Sequence, residues 1–204
     1  TGTIGSLTAS GGSVAPGNSI GTLIVAGNVV MDAGSNYDVE VNATGGSDKV
    51  AAGGTATLST AATVSVAMEP GTYGAVTQYT ILSAAGGVAG TFDDDVNVTS
   101  AFFDGALTYD TNNVYLTLTR NSLTLGDFAK TPNQTATAAA LDAGGKGAPY
   151  FGQLLVLSGG QTPGALDVIS GDGYASVTAA ALDDGRFVRD AALDRRGTRG
   201  VWST

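Results

Sequence analysis

Residues 76–121 read VTQYTILSAAGGVAGTFDDDVNVTSAFFDGALTYDTNNVYLTLTRN. Tyr79, Thr80, Ile81 and Leu82 form a short apolar run that reads as a buried strand stopped at Gly86 and Gly87. A second short run over 88–92 ends in Phe92 and is followed by three carboxylates, Asp93, Asp94 and Asp95. The stretch closes on a hairpin signal: residues 106–109 lead into Asp110, Thr111, Asn112 and Asn113, and the chain returns over 114–119. In the returning arm Val114, Leu116 and Leu118 fall on one face and Tyr115, Thr117 and Thr119 on the other, the alternation of a half-buried strand. Asp and Asn accept left-handed backbone, which suits a tight four-residue link.

Upstream of this stretch the same theme repeats without a strict period. Apolar runs occur at 4–7, 23–25, 29–31, 39–41, 56–58 and 64–66, separated by Gly11-Gly12, Gly17-Asn18, Gly27-Asn28, Gly34-Ser35-Asn36, Gly45-Gly46 and Gly53-Gly54. Runs of three to five residues between Gly/Asn corners suit a β-solenoid, in which each strand is short and successive rungs bury one another's inner face. A β-sandwich also has short, evenly spaced strands. Its strands are longer and alternate more strictly, so the pattern favours the solenoid.

Composition sets the function classes. The chain has 204 residues, 31 of them Gly, with 13% charged and 43% hydrophobic side chains, and it contains neither Cys nor His. Without Cys there is no disulfide framework, so packing and backbone hydrogen bonds must hold the fold. Without His the commonest general base and metal ligand is absent. The sequence starts at Thr1 with no leader-like stretch, as expected of a piece of something longer, and no run of 18 apolar residues forms a transmembrane helix. Residues 1–119 carry a net charge of −9 and residues 120–204 are balanced. An acidic first half repels phosphate, which argues against a nucleic-acid partner.

Past Asn121 the composition turns helical. Residues 122–128 form a bridge and Pro132 a boundary; Asn133, Gln134 and Thr135 open a helix over 136–141, and a second short helix is expected over 149–157. Thr162 before Pro163 predicts an N-cap for a helix over 164–169. The longest helical candidate runs over 173–196, with a break at Gly185 and an i, i+4 pair of Arg186 and Asp190.

Candidate reactive residues are few. Asp93, Asp94 and Asp95 lack the spaced ligands of a calcium loop and read as a solvated turn. Asp142, Asp167 and Asp172 could form an acid pair for glycoside cleavage, but capping accounts for them better. Ser19, within Gly17-Asn18-Ser19-Ile20-Gly21, has no His to activate it and reads as a corner. Tyr79, Phe92, Tyr109 and Tyr115 read as core and cap packing rather than a ligand platform. No cofactor, metal site or catalytic residue is expected.

An ordered set of motifs resembles the C-terminal passenger end of Gram-negative autotransporters (type V secretion). It comprises residues 14–23 (VAPGNSIGTL), 25–28 (VAGN), 37–41 (YDVEV), 48–50 (DKV), the segments 79–82, 90–92, 107–109 and 114–118, and then 166–176 (LDVISGDGYAS) and 186–195 (RFVRDAALDR). The resemblance covers nearly the whole chain. It implies a mainly β fold: a right-handed parallel β-helix capped by a β-hairpin, followed by an α-helical linker segment. The division it implies is 1–125 for the β-helix end, with an autochaperone region at about 64–121, and 126–204 for a linker leading to a translocator β-barrel. It also implies a non-enzymatic module at the cell surface, attached to the outer membrane, whose partners are its own barrel and an upstream passenger. Within it Tyr79, Ile81, Leu82, Phe92, Leu107, Tyr109, Val114, Tyr115, Leu116 and Leu118 would form the folding seed and cap. Arg186, Arg189, Asp190 and Arg195 would lie in the pore linker, and residues 200–202 match the start of a barrel strand. Gly185 and the Asp172-Gly173 pair depart from the family's more helical linker. Two other readings are an adhesin surface for host glycan or protein and a solenoid polysaccharide-degrading enzyme; the scarcity of Lys, Arg and Glu in residues 1–119 counts against the enzyme.

Overall fold

A computed structural model describes residues 2–171. The helix expected over 173–196, Asp172, the pore-linker residues Arg186, Arg189, Asp190 and Arg195, and residues 200–202 all lie outside the described residues.

The described chain is mainly β. Twelve strands come first: β1 Gly2–Ile4, β2 Leu7–Ala9, β3 Gly12–Val14, β4 Thr22–Val25, β5 Val29–Met31, β6 Ser35–Val41, β7 Lys49–Ala52, β8 Ala56–Leu58, β9 Thr63–Met68, β10 Val76–Ala84, β11 Val88–Ala89 and β12 Val96–Val98. Each of β1–β9 pairs in parallel with the third strand after it, giving the ladders β1-β4-β7-β10, β2-β5-β8-β11 and β3-β6-β9-β12. The chain visits the three sheets in cyclic order, one strand in each per circuit. An antiparallel sandwich is thereby excluded. Two further strands, β13 Phe103–Tyr109 and β14 Asn113–Arg120, join the first sheet in antiparallel sense, with β14 between β10 and β13.

Register explains the composition. Small and branched side chains stack in columns along the interior, since a parallel ladder places equivalent residues directly over one another. Val25, Ala52 and Ala84 form one column, each at most 6% exposed; Val29 sits on Ala56, and Tyr37 on Val64. The corner between the first and second sheets is a fixed seam. Gly27 donates its N–H to the Gly5 carbonyl, Gly54 to Gly27 and Gly86 to Gly54. A Cβ on Gly53 would lie 2.5 Å from the Ala26 carbonyl oxygen, so the Gly-rich punctuation reflects close approach of stacked backbones. The corner between the second and third sheets instead lengthens from 10–11 to 32–34, 59–62 and 90–95. Within the last, Gly90 has φ +80° and a Cβ there would meet the Leu58 carbonyl oxygen at 2.1 Å. Gly90→Ala is therefore expected to cost more than about 2 kcal/mol, read as a lowered urea midpoint at unchanged slope.

Three strands, β3, β7 and β12, were not legible as apolar runs. Gly12, expected to be part of a turn, opens β3, and β7 begins at the charged Lys49. All three are short strands held by neighbours on either side or by one long partner, so their pairing follows the stack rather than their own propensity.

Three helices follow: α1 Pro132–Gly144, α2 Phe151–Leu154 and α3 Thr162–Ser170. α1 starts earlier than the expected opening at Asn133, because Pro132 occupies the first helical position and Thr131 caps it. Gln134 donates its backbone N–H to Thr131 Oγ1, while Gln134 Oε1 accepts from the Thr131 backbone N–H, a reciprocal box. α2 is shorter than the expected 149–157. Thr162 is not the N-cap of α3; it lies inside the helix, fully buried, with its hydroxyl donating to the Ser158 carbonyl. Gln161 Oε1 accepts from Ser158 N–H and Oγ–H, so the capping geometry sits one turn upstream of the Thr-Pro pair. Leu125, Ala138, Leu141, Leu154, Leu155 and Leu166 belong to the same buried cluster as the interior of the sheets.

Candidate functional site

The candidate seed residues converge on one end of the stack. β10 is nine residues long rather than the four expected, and a bulge between Thr80 and Leu82 turns both Ile81 and Leu82 inward. The bulge falls where β10 changes neighbours. Up to Thr80 it pairs with β14 alone; from Leu82 it pairs with β7 on its other edge as well. Val114, Leu116 and Leu118 of β14 are fully buried, as their alternation predicts. Leu107 and Tyr109 on β13 are half-buried against the same cluster.

Phe92 lies in the lengthened corner at 90–95, 1% exposed, with its ring 6.1 Å from that of Tyr37. Its backbone N–H donates to the Tyr109 hydroxyl, so β13 closes over this corner. Tyrosine hydroxyls tie distant circuits together through the interior. Tyr37 donates to the Ile81 carbonyl at 2.6 Å, Tyr79 to the Asn42 carbonyl, and Tyr73 to the carbonyls of Val41 and Glu69. Burial raises the pKa of each of these three phenols, to about 12 for Tyr79 and further for Tyr37 and Tyr73. Tyr115, expected among the packing aromatics, instead projects from the outer face of β14 and donates its hydroxyl to Asp110.

Asp110 organises the hairpin tip. Its carboxylate accepts from the Tyr115 hydroxyl, from the backbone N–H groups of Asn112 and Asn113, and from the Asn113 amide. These bonds, the Tyr115 hydroxyl first, lower its pKa to about 2. The tip is stitched to the seam: the Asn112 amide donates to the Ala84 and Ala85 carbonyls, Ala84 N–H to Asn112 and Val88 N–H to Thr111. A folded-state pKa below the unfolded value near 4 means the contribution is present above about pH 4 and lost as pH falls toward 2. Tyr115→Phe is expected to raise the Asp110 pKa, measurable by NMR titration of its carboxyl carbon.

The helices cover what the hairpin leaves open. Ser100, 5% exposed, donates its hydroxyl to the Leu155 carbonyl at 2.6 Å, and Ala101 N–H donates to Leu157. Phe102 meets Phe128 edge-on at 5.2 Å, while the Arg120 guanidinium lies 5.1 Å from the Phe102 ring centre. Gln134 is 3% exposed and bridges α1 to Pro163 and Asp167. Asp142 accepts from the Leu125 and Gly126 N–H groups. Asp142 and Asp167 thus hold helix ends together.

Asp93 Oδ1 accepts from the Asp95 N–H in a local turn. Among the described residues no group of three His, Cys, Asp or Glu side chains is arranged to hold a metal. A further carboxylate emerged only from the structure: Asp48, 1% exposed, accepts from the Gly21 and Glu40 backbone N–H groups and joins neighbouring circuits at a corner. Tyr37 was likewise unforeseen, although its inward position in the alternation Tyr37, Val39, Val41 marks it as a core residue.

The described chain is therefore a mainly β protein with parallel sheets, closed over β10 by the hairpin and the helices. No family model matches the chain. It is similar to two proteins of Serratia marcescens named extracellular serine protease. One is 38% identical over 149 residues, 69% of this chain, and the other 35% identical over 133 residues, 62% of this chain. The matches span 14% and 13% of those relatives' lengths.

Proposed function

We propose that this chain is the C-terminal end of an autotransporter passenger, a right-handed parallel β-helix whose closed end seeds folding outside the cell. The observation that carries this reading is the closure of the stack at β10–β14, where Ile81, Leu82, Phe92, Phe102, Leu116 and Leu118 are almost completely buried. The cyclic visit to three sheets supports the solenoid, and the right-handed rule for parallel crossovers supplies its hand. A rung is stable only beside a folded neighbour, so the closed end acts as the nucleus and successive rungs stack on it. That stacking opposes back-sliding through a pore without a nucleotide cofactor.

The division into residues 1–125 and a helical linker from 126 belongs to this proposal, as do surface localisation and attachment through a barrel. The relatives' printed names support an extracellular setting. Hydrolysis, which those names also state, we do not assign to this chain: it has no His to activate a serine. In the intact protein with its translocator, Leu116→Asp is expected to abolish protease-resistant display of the passenger at the cell surface, scored by protease shaving of whole cells. Display and resistance equal to the parent protein would overturn the seed reading.

A further inference from the structure

Three Asn-X-Thr triplets occur in the chain, beginning at Asn42, Asn97 and Asn133. This is the acceptor pattern for N-glycosylation, which needs the asparagine amide and the hydroxyl two residues on together at an open surface. The three triplets differ in that respect. Asn42 is half-buried, and its Oδ1 accepts from the Thr44 N–H, the Thr44 hydroxyl and the Gly46 N–H. Its amide nitrogen lies against Gly46, where a Cβ would come within 2.9 Å of it. Asn133 stands in the first turn of α1, where residues two apart do not face each other, and the Thr135 hydroxyl is turned back to the Thr131 carbonyl.

Asn97 and Thr99 are arranged otherwise. Asn97 is the middle residue of β12, and the Thr99 N–H donates to the Val66 carbonyl of β9, so the ladder runs on past the strand's last residue. The strand period of two puts both side chains on one face. That face is the outer one. Asn97 and Thr99 are exposed, whereas Val96 and Val98 are half-buried and turn toward β13, where a Cβ on Gly105 would meet Val96 Cγ1 at 2.7 Å. Among the described residues, none bonds to the Asn97 amide or the Thr99 hydroxyl. The strand itself is accessible too. β12 ends its ladder, paired with β9 alone, while the first ladder continues into β14 and the second is sealed by the bond from Val88 N–H to Thr111.

We propose that Asn97 is an N-glycosylation site whose sugar covers the open edge of β12. In the step, Asn97 Nδ2 attacks the anomeric carbon of a sugar activated as its diphosphate ester. The new C–N bond replaces the anomeric C–O bond, the diphosphate leaves with the electron pair, and the amide gives one proton to a base of the transferring enzyme. Beside Asn97 lies a polar hollow of about 380 Å³ whose lining includes Asp94, Asp95, Ser100 and Asp104. These side chains accept hydrogen bonds from sugar hydroxyls, so the first ring has a seat next to its anchor. An unpaired strand edge recruits other chains, and a bulky, solvated group on it prevents that. The inference goes beyond the seeding role and stands whether or not that role holds.

The test is tandem mass spectrometry, with electron-transfer fragmentation, of the intact protein purified from the cell that makes it. Asn97 is expected to carry the mass of at least one sugar residue, with Asn42 and Asn133 unmodified. Thr99→Val should lose the increment and Thr99→Ser should keep it, circular dichroism confirming that both variants fold. Three outcomes overturn the proposal: an unmodified Asn97, a sugar on either of the other two asparagines, and an increment that survives Thr99→Val. Surface display does not enter the readout, so failure here leaves the seed reading intact.

Discussion

Leu116→Ala is expected to destabilise the protein by about 3 kcal/mol and to strip hydrogen-exchange protection from strands far from residue 116. The side chain is fully buried on β14, the strand that pairs with β10 and β13 together. Removing it leaves a cavity at the end where the stack is closed, and large-to-small changes of this kind cost about 2–5 kcal/mol. In a stack whose circuits lean on one another, loss of the closing element propagates to β7–β9 and on to β4–β6. Val29→Ala, on β5 and distant from the hairpin, tests the polarity. Val29 is equally buried, yet its loss should leave the amides of β10 and β14 protected. Native-state exchange followed by mass spectrometry distinguishes the two. Local, symmetric losses for both variants would remove the physical basis for a seed.

The second large effect is alkaline. With no His and no Cys in the chain, no side chain with an ordinary pKa between about 5 and 9 is present, so stability should be nearly flat across that range. Above it, the buried phenols decide. Tyr37, Tyr73 and Tyr79 have folded-state pKa values raised by burial, and each hydroxyl donates to a backbone carbonyl that a phenolate would face unprotonated. A raised folded-state value means the contribution is complete below the unfolded pKa near 10 and is lost as pH climbs through 12. The melting temperature should therefore hold from pH 6 to 9 and collapse between about pH 10 and 12. Tyr37→Phe should cost about 1–2 kcal/mol at neutral pH, because it orphans the Ile81 carbonyl, and should make the alkaline fall shallower. A melting temperature unchanged to pH 12 would contradict the buried-hydroxyl account.

The hairpin was legible because it is local. Alternation over 114–119 and an Asp/Asn link fix it within a few residues of sequence. The parallel ladders were legible only as a theme, since β3 and β7 carry little propensity of their own and exist because a neighbouring circuit presents an edge at the right spacing. Side-chain roles divided the same way. Val114, Leu116 and Leu118 follow from periodicity, but the bond from Tyr37 to Ile81 joins residues 44 apart, and no local pattern announces such a contact. Tyr115 shows the converse error: an aromatic placed on the outer face by its own alternation still attracted a packing role. Thr-Pro is a good local cap signal, but the helix begins at Thr162 itself, after a turn in which Ser158, four residues earlier, donates to the Gln161 side chain.

The corner between the second and third sheets grows along the chain, from 10–11 to 90–95, while the Gly27-Gly54-Gly86 seam stays fixed. Successive circuits therefore differ in girth, as the segments of a tapered spring do. A circuit displaced by one position along the stack would set a short corner over a long one and leave Phe92 without the space it fills. Misthreading is penalised by shape as well as by sequence.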